Sequence, residues 1–172
     1  GLVLTNQNKL DEAVACYRKA IAIDPKNAPA HYNLGSALKA QGQLDEAIAC
    51  YRKAIELDPK DALAHRNLGV ALAARGEVDE AIDCHKKAIE IDPARISAIQ
   101  ELTSYYLGNR RIADARRILE IGAKNSPSNV VFHNMLAKLL ATAPNDLLRN
   151  GKLALEHALQ ASAHFILFAS PE

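Results

Sequence analysis

One interval governs this chain. The prolines Pro25, Pro59, Pro93 and Pro127 stand 34 residues apart. Cys16, Cys50 and Cys84 keep the same step, as do Ala20, Ala54 and Ala88. The segment NKLDEAVACYRKAIAIDPKN returns as GQLDEAIACYRKAIELDPKD and again as GEVDEAIDCHKKAIEIDPAR. A fixed period of this length means one supersecondary unit copied in tandem. A single copy cannot bury its apolar side alone, so neighbours must stack.

Residues 28–61 show what one copy contains. APAHYNLGSALKA puts Leu34, Ala37 and Leu38 on one helical face. Gly42 then ends the helix in a tight turn. A second helix is predicted over 44–57, with Ala47, Ile48, Tyr51, Ala54 and Ile55 as its buried stripe. Asp58-Pro59 closes it, because Pro cannot continue the hydrogen-bond ladder and restrains the residue before it. Gly35 and Ala47 fall where the two helices should cross, and Ala54 where the next unit should pack. Larger side chains there would push the helices apart.

These residues resemble the tetratricopeptide repeat. The second unit supplies His31, Leu34, Gly35, Leu38, Ala47, Tyr51, Ala54 and Pro59 at the hallmark positions. The third supplies His65, Leu68, Gly69, Leu72, Ala81, His85, Ala88 and Pro93. The resemblance implies an all-α, right-handed superhelical solenoid of antiparallel helix-turn-helix repeats. Its units are 1–27 (partial), 28–61, 62–95 and 96–129. In the first, Ala13, Tyr17, Ala20 and Pro25 match and Gly1 takes the register of the Leu-Gly glycine. The sequence is therefore expected to begin inside a helix, as a piece of a longer protein. In the fourth, Leu102, Tyr106, Ala115, Leu119, Gly122 and Pro127 fit, while Thr103 replaces the glycine. Residues 130–172 read as a degenerate fifth unit, starting with Leu136, Ala137 and Leu140, interrupted by TAPNDLLRNGK and closed by a capping apolar helix.

Composition narrows the function classes. The 21 basic and 20 acidic residues nearly cancel, which gives no footprint for nucleic acid or an anionic membrane. No window approaches the ~18 uninterrupted apolar residues of a membrane span. Three cysteines, an odd count with no disulfide framework, point to a reducing, cytoplasmic compartment. The cysteine column gives no metal site, since stacked helices lie roughly 8–10 Å apart. No phosphate loop, paired-carboxylate site or HExxH motif occurs, so nothing argues for an enzyme or a cofactor.

In such a stack the first helices line a concave face, where a protein or peptide partner is expected. The candidate contacts are Tyr32, Asn33, Ser36 and Lys39 in the second unit. Arg66, Asn67 and Val70 follow in the third, and Gln100, Glu101 and Ser104 in the fourth. Asn33 and Asn67 share one register, and their amides can pair with a peptide main chain. Asparagines do this in the superhelical repeats of O-linked N-acetylglucosamine transferases, which this sequence resembles; the alternative is an ordinary solvated polar position. Glu101 and Met135 interrupt that ladder. A basic clamp for a C-terminal carboxylate does not fit, because only Arg66 is basic among the comparable positions.

His31, His65 and His85 read as packing residues. Arg110, Arg111, Arg116 and Arg117 read as a solvated outer face balanced by Asp114 and Glu120. Two other classes stay open. One is a regulatory or targeting segment of a larger glycosyltransferase or kinase. The other is a self-assembly module, built end to end through the repeat ends or as a homo-oligomer through the C-terminal helix with its apolar stretch Phe165 to Phe168.

Overall fold

The computed structural model describes residues 2–93, 95–142, 153, 154 and 156–159, with the backbone alone for 2–8 and 142. The elements are all helices: α1 (Leu2–Ile23), α2 (Ala28–Ala40), α3 (Leu44–Leu57), α4 (Ala62–Arg75), α5 (Val78–Ile91), α6 (Ile96–Gly108), α7 (Ile112–Asn125) and α8 (Val130–Thr142). They fall into two compact units, Gly1–Asp92 and Pro93–Glu172. In the first, α1 packs on α2, α2 on α3, α3 on α4 and α4 on α5. In the second, α6 packs on α7 and α7 on α8.

The repeat fixes its helix ends with the same devices at the same register. The Asn27 side chain accepts from the Ala30 amide at 2.9 Å, and Asp61 accepts from Leu63 and Ala64 at 2.8 and 3.1 Å. Asn129 accepts from Val131 at 3.0 Å. Such caps satisfy backbone donors that have no partner inside the helix. At the equivalent place before α6, Arg95 makes no side-chain cap. First helices end in a paired Schellman arrangement. Gly42 and Gln43 donate to Lys39 and Leu38, Gly76 and Glu77 to Ala73 and Leu72, and Arg110 and Arg111 to Leu107 and Tyr106. Second helices stop where Asp24, Asp58, Asp92 and Ser126 donate back to residues 20, 54, 88 and 122.

The histidines expected to pack between helices do something more directional. His31 Nε2 bonds the Pro25 carbonyl and His65 Nε2 the Pro59 carbonyl, both at 3.1 Å. His133 Nε2 bonds the Pro127 carbonyl at 2.8 Å. A carbonyl only accepts, so each Nε2 carries a proton. Each ring thus ties a first helix to the proline that ended the helix before it. Ile99 breaks the series.

The crossing of each hairpin is close. A Cβ added to Gly35 would stand 2.9 Å from Tyr51 Cε1 and 3.1 Å from the Ala47 carbonyl oxygen. At Gly69 the distances are 2.8 Å to His85 Nε2 and 3.1 Å to the Ala81 carbonyl oxygen. Only glycine leaves room for the large side chain of the partner helix. Tyr51, Ala47, Ala81, His85 and Ala88 are buried accordingly.

One feature differs from expectation. α1 runs unbroken from Leu2 to Ile23, although the register places a turn at residue 8. Asn8 stands there where sister units have Gly42, Gly76 or Arg110, and extending an existing helix is favoured over stopping it. The partial first hairpin is therefore one helix. The expectations for residues 143–152 and for Phe165 to Phe168 lie outside the described residues.

Arg110 adopts φ 58°, the left-handed backbone that Gly42 (78°) and Gly76 (93°) supply. A side chain there costs roughly 1 kcal/mol or more. Arg110→Gly should raise unfolding stability by about 1 kcal/mol, measured by urea denaturation; no gain would mean that the turn is not strained.

Candidate peptide-binding face

The candidate residues on α2 and α4 do not all present themselves to a ligand. Tyr51 Oη donates to Ser36 Oγ at 3.2 Å, and Ser36 Oγ donates to the Tyr32 carbonyl at 3.1 Å. The Tyr32 and Tyr51 rings lie 6.0 Å apart and tilted. Asn67 Nδ2 donates to Tyr32 Oη at 2.8 Å, and Arg66 donates to Asn67 Oδ1 at 3.2 Å. Four candidates (Tyr32, Ser36, Arg66 and Asn67) therefore form one network joining two repeats. Tyr51 completes it, a residue that sequence reasoning placed only in the core. Burial pushes its phenol up from the usual range, opposed by the Ser36 hydrogen bond.

Asn33 and Asn67 share a register but not an environment. Asn67 is 6% exposed and committed to Tyr32. Asn33 is half-buried, and no hydrogen bond to its side chain occurs among the described residues. Lys39 and Val70 are half-buried. In the second unit, Gln100 and Glu101 are half-buried, and the exposed Ser104 donates back to the Gln100 carbonyl at 2.9 Å.

The compact unit Gly1–Asp92 also carries a polar ladder in the same 34-residue step. Arg18 meets Glu46 at 2.9 Å, and Arg52 meets Glu80 at 2.6 Å. Gln41 meets Asp11 at 2.6 Å, and Arg75 meets Asp45 at 2.7 Å. A shallow pocket beside α1 and α3 is lined by Asp11, Val14, Arg18, Gln41, Gln43 and Glu46, and across it Arg18 pairs with Glu46 and Gln41 with Asp11. The arginine cluster behaves likewise. Arg111 reaches Asp114 at 2.8 Å and lies 4.7 Å over the Tyr106 ring, and Arg116 reaches Glu120 at 2.7 Å.

Models of the tetratricopeptide repeat match residues 1–42, 35–76 and 62–94, together more than half of the 172 residues. The chain belongs to the tetratricopeptide repeat family. Comparison with curated proteins gives no match. Among solved structures the chain is similar to MamA. One MamA crystal structure has a TM-score of 0.73 at 22% identity, over 96% of this chain and 94% of that one. MamA from Desulfovibrio magneticus RS-1, solved from residue 41 to its end, has a TM-score of 0.68 at 18% identity, over 96% and 91%. At these identities the likeness is one of fold.

Within the tetratricopeptide frame the third unit is unusual for its buried histidine. His85 takes the place of Tyr51 and is fully buried. Burial, reinforced by the nearby Arg66 cation, lowers its pKa from 6.5 to about 4. The thiols of the repeat column are free. Burial, with Glu80 beside it, pushes Cys84 up to about 11, and burial with Glu46 raises Cys50. Thiolate is the reactive form, so the exposed Cys16 should be alkylated well before Cys50 or Cys84 by iodoacetamide at pH 8. Equal labelling of all three in the folded protein would contradict these burials.

The His85 shift fixes a direction for stability. Between pH 6.5 and about 4 the unfolded chain binds a proton that the folded chain refuses. The contribution is therefore complete above pH 6.5 and is lost as pH falls toward 4, by about 3 kcal/mol. His85→Tyr, which copies the sister repeat, should remove this part of the acid sensitivity in denaturant titrations at pH 7 and 4.5. An unchanged pH dependence would refute it.

Proposed function

We propose that this chain is a non-catalytic scaffold whose first-helix face on α2 and α4 holds an extended peptide or a segment of another protein. The observation that carries the reading is the difference between the two asparagines. Asn33 offers an amide with one donor side and one acceptor side, on a half-exposed surface. Beside it, Tyr32 is held by Asn67, and Asn67 in turn by Arg66. A ligand main chain can pair with Asn33 without reordering its neighbours, which reduces the entropy cost of binding. Asn67 is a strut in this reading, not a contact. Gln100, Glu101 and Ser104 belong to the fourth repeat, in the compact unit Pro93–Glu172, and are proposed only as further contacts.

The two roles separate in one experiment. A partner is first captured with the intact protein, and its segment is then titrated by calorimetry. Asn33→Ala should weaken binding about tenfold, the worth of one or two hydrogen bonds, and leave stability within about 0.5 kcal/mol. Asn67→Ala should lower stability by about 1–3 kcal/mol, because it removes a buried side chain together with its bond to the half-buried Tyr32 hydroxyl. Unchanged affinity for Asn33→Ala would remove the groove reading.

A further inference from the structure

In the second unit, two histidines face each other through the same nitrogen. His133 Nδ1 and His157 Nδ1 lie 2.9 Å apart, with ring centroids 5.2 Å apart and planes inclined by 28°. His133 is 4% exposed and stands on α8. His157 stands in the helical stretch 156–159, and 24 residues separate the two in the chain. The other nitrogen of His133 is committed, because its Nε2 sits 2.8 Å from the Pro127 carbonyl.

Proton counting then limits the pair. The Pro127 carbonyl only accepts, so His133 Nε2 is protonated. With His133 neutral, its Nδ1 is bare and His157 Nδ1 must carry the bridging proton. With one added proton, His133 becomes the donor and His157 Nδ1 the acceptor, so the bridge survives. With two added protons, both Nδ1 atoms carry hydrogens and both rings are cationic. Two N–H groups cannot share a 2.9 Å contact, and like charges at that range repel inside a partly buried site. We propose that the His133–His157 pair is a proton-operated latch, which holds residues 156–159 to α8 with zero or one added proton and releases them with two.

The surrounding charges leave the pair to set the outcome. On α7, which packs against α8, Asp114 is held by Arg111 at 2.8 Å and Glu120 by Arg116 at 2.7 Å. Arg117 and Lys124 on α7 are exposed and add only positive charge. Glu156 beside His157 is exposed, as is Lys138 on α8. Histidine is the side chain whose ordinary charge change falls between pH 5 and 8, so the release belongs to mild acid. His85 also responds to acid, but it lies in the other compact unit.

The test uses the whole chain and two readouts. Hydrogen exchange, corrected for the intrinsic pH effect, should show amide protection over 156–159 falling at least tenfold between pH 7.5 and 5. His157→Phe keeps a ring for stacking and should abolish that pH dependence. In the unaltered protein, imidazole nitrogen NMR should show His133 protonated on Nε2 at pH 7.5. The second proton on the pair should arrive together with the loss of protection. The same pH dependence in His157→Phe would overturn the latch. So would two doubly protonated rings in a segment that stays protected.

Discussion

At the crossings of the hairpins α2–α3 and α4–α5, backbone and ring share a space that admits no Cβ. A Cβ added to Gly35 would stand 2.9 Å from Tyr51, and one added to Gly69 would stand 2.8 Å from His85. That closeness sets how far apart the two helices stand, and the other features are built around it. Ala47 and Ala81 are fully buried at the same crossings, with their carbonyl oxygens 3.1 Å from where a glycine Cβ would stand. Tyr51 is driven inward, which brings its hydroxyl to Ser36 and its ring beside Tyr32. Tyr32 then accepts from Asn67 on the following first helix. A steric requirement inside one hairpin thus becomes a polar joint between two.

The fourth unit solves the same crossing with other residues. Thr103 occupies the glycine register and Leu119 the register of Tyr51 and His85, and both are fully buried. A larger residue on one helix accompanies a smaller one on the other. Gly122 stands where Ala54 and Ala88 stand in the sisters, and a Cβ there would meet Ile99 and Phe132 at 3.0 Å. Ile99 itself replaces the histidine that elsewhere bonds a proline carbonyl. The exchanges conserve volume rather than residue type, as well-packed interiors require. They have a chemical cost: the Thr103 hydroxyl is buried with no hydrogen-bond partner among the described residues.

Helix spans and core positions were legible from the period because they depend on local pattern. Leu44–Leu57 and its stripe of Ala47, Ile48, Tyr51 and Ala54 appear as the spacing predicts. The Asp-Pro stops and the Gly42 turn do too. The unbroken α1 is not legible from the period, because it turns on Asn8 standing where sister units have Gly42 and Gly76. The site was less legible still. Asn33 and Asn67 are identical in type and register, and their difference comes from residue 32, a tyrosine that reaches forward to Asn67. The same register on α4 holds Arg66, so no rule based on one repeat could separate the two amides. The His133–His157 contact joins residues 24 apart and has no periodic signal.

The crossing itself can be measured by carrying the fourth unit's solution into the third. Gly69→Thr alone places atoms where His85 already stands and should cost about 3 kcal/mol. His85→Leu alone should cost less. If the crossing distance governs the hairpin, the double variant should recover much of the loss, giving a coupling of about 2 kcal/mol in a double-mutant cycle followed by denaturant unfolding. Strictly additive losses would show that the two positions do not share one space.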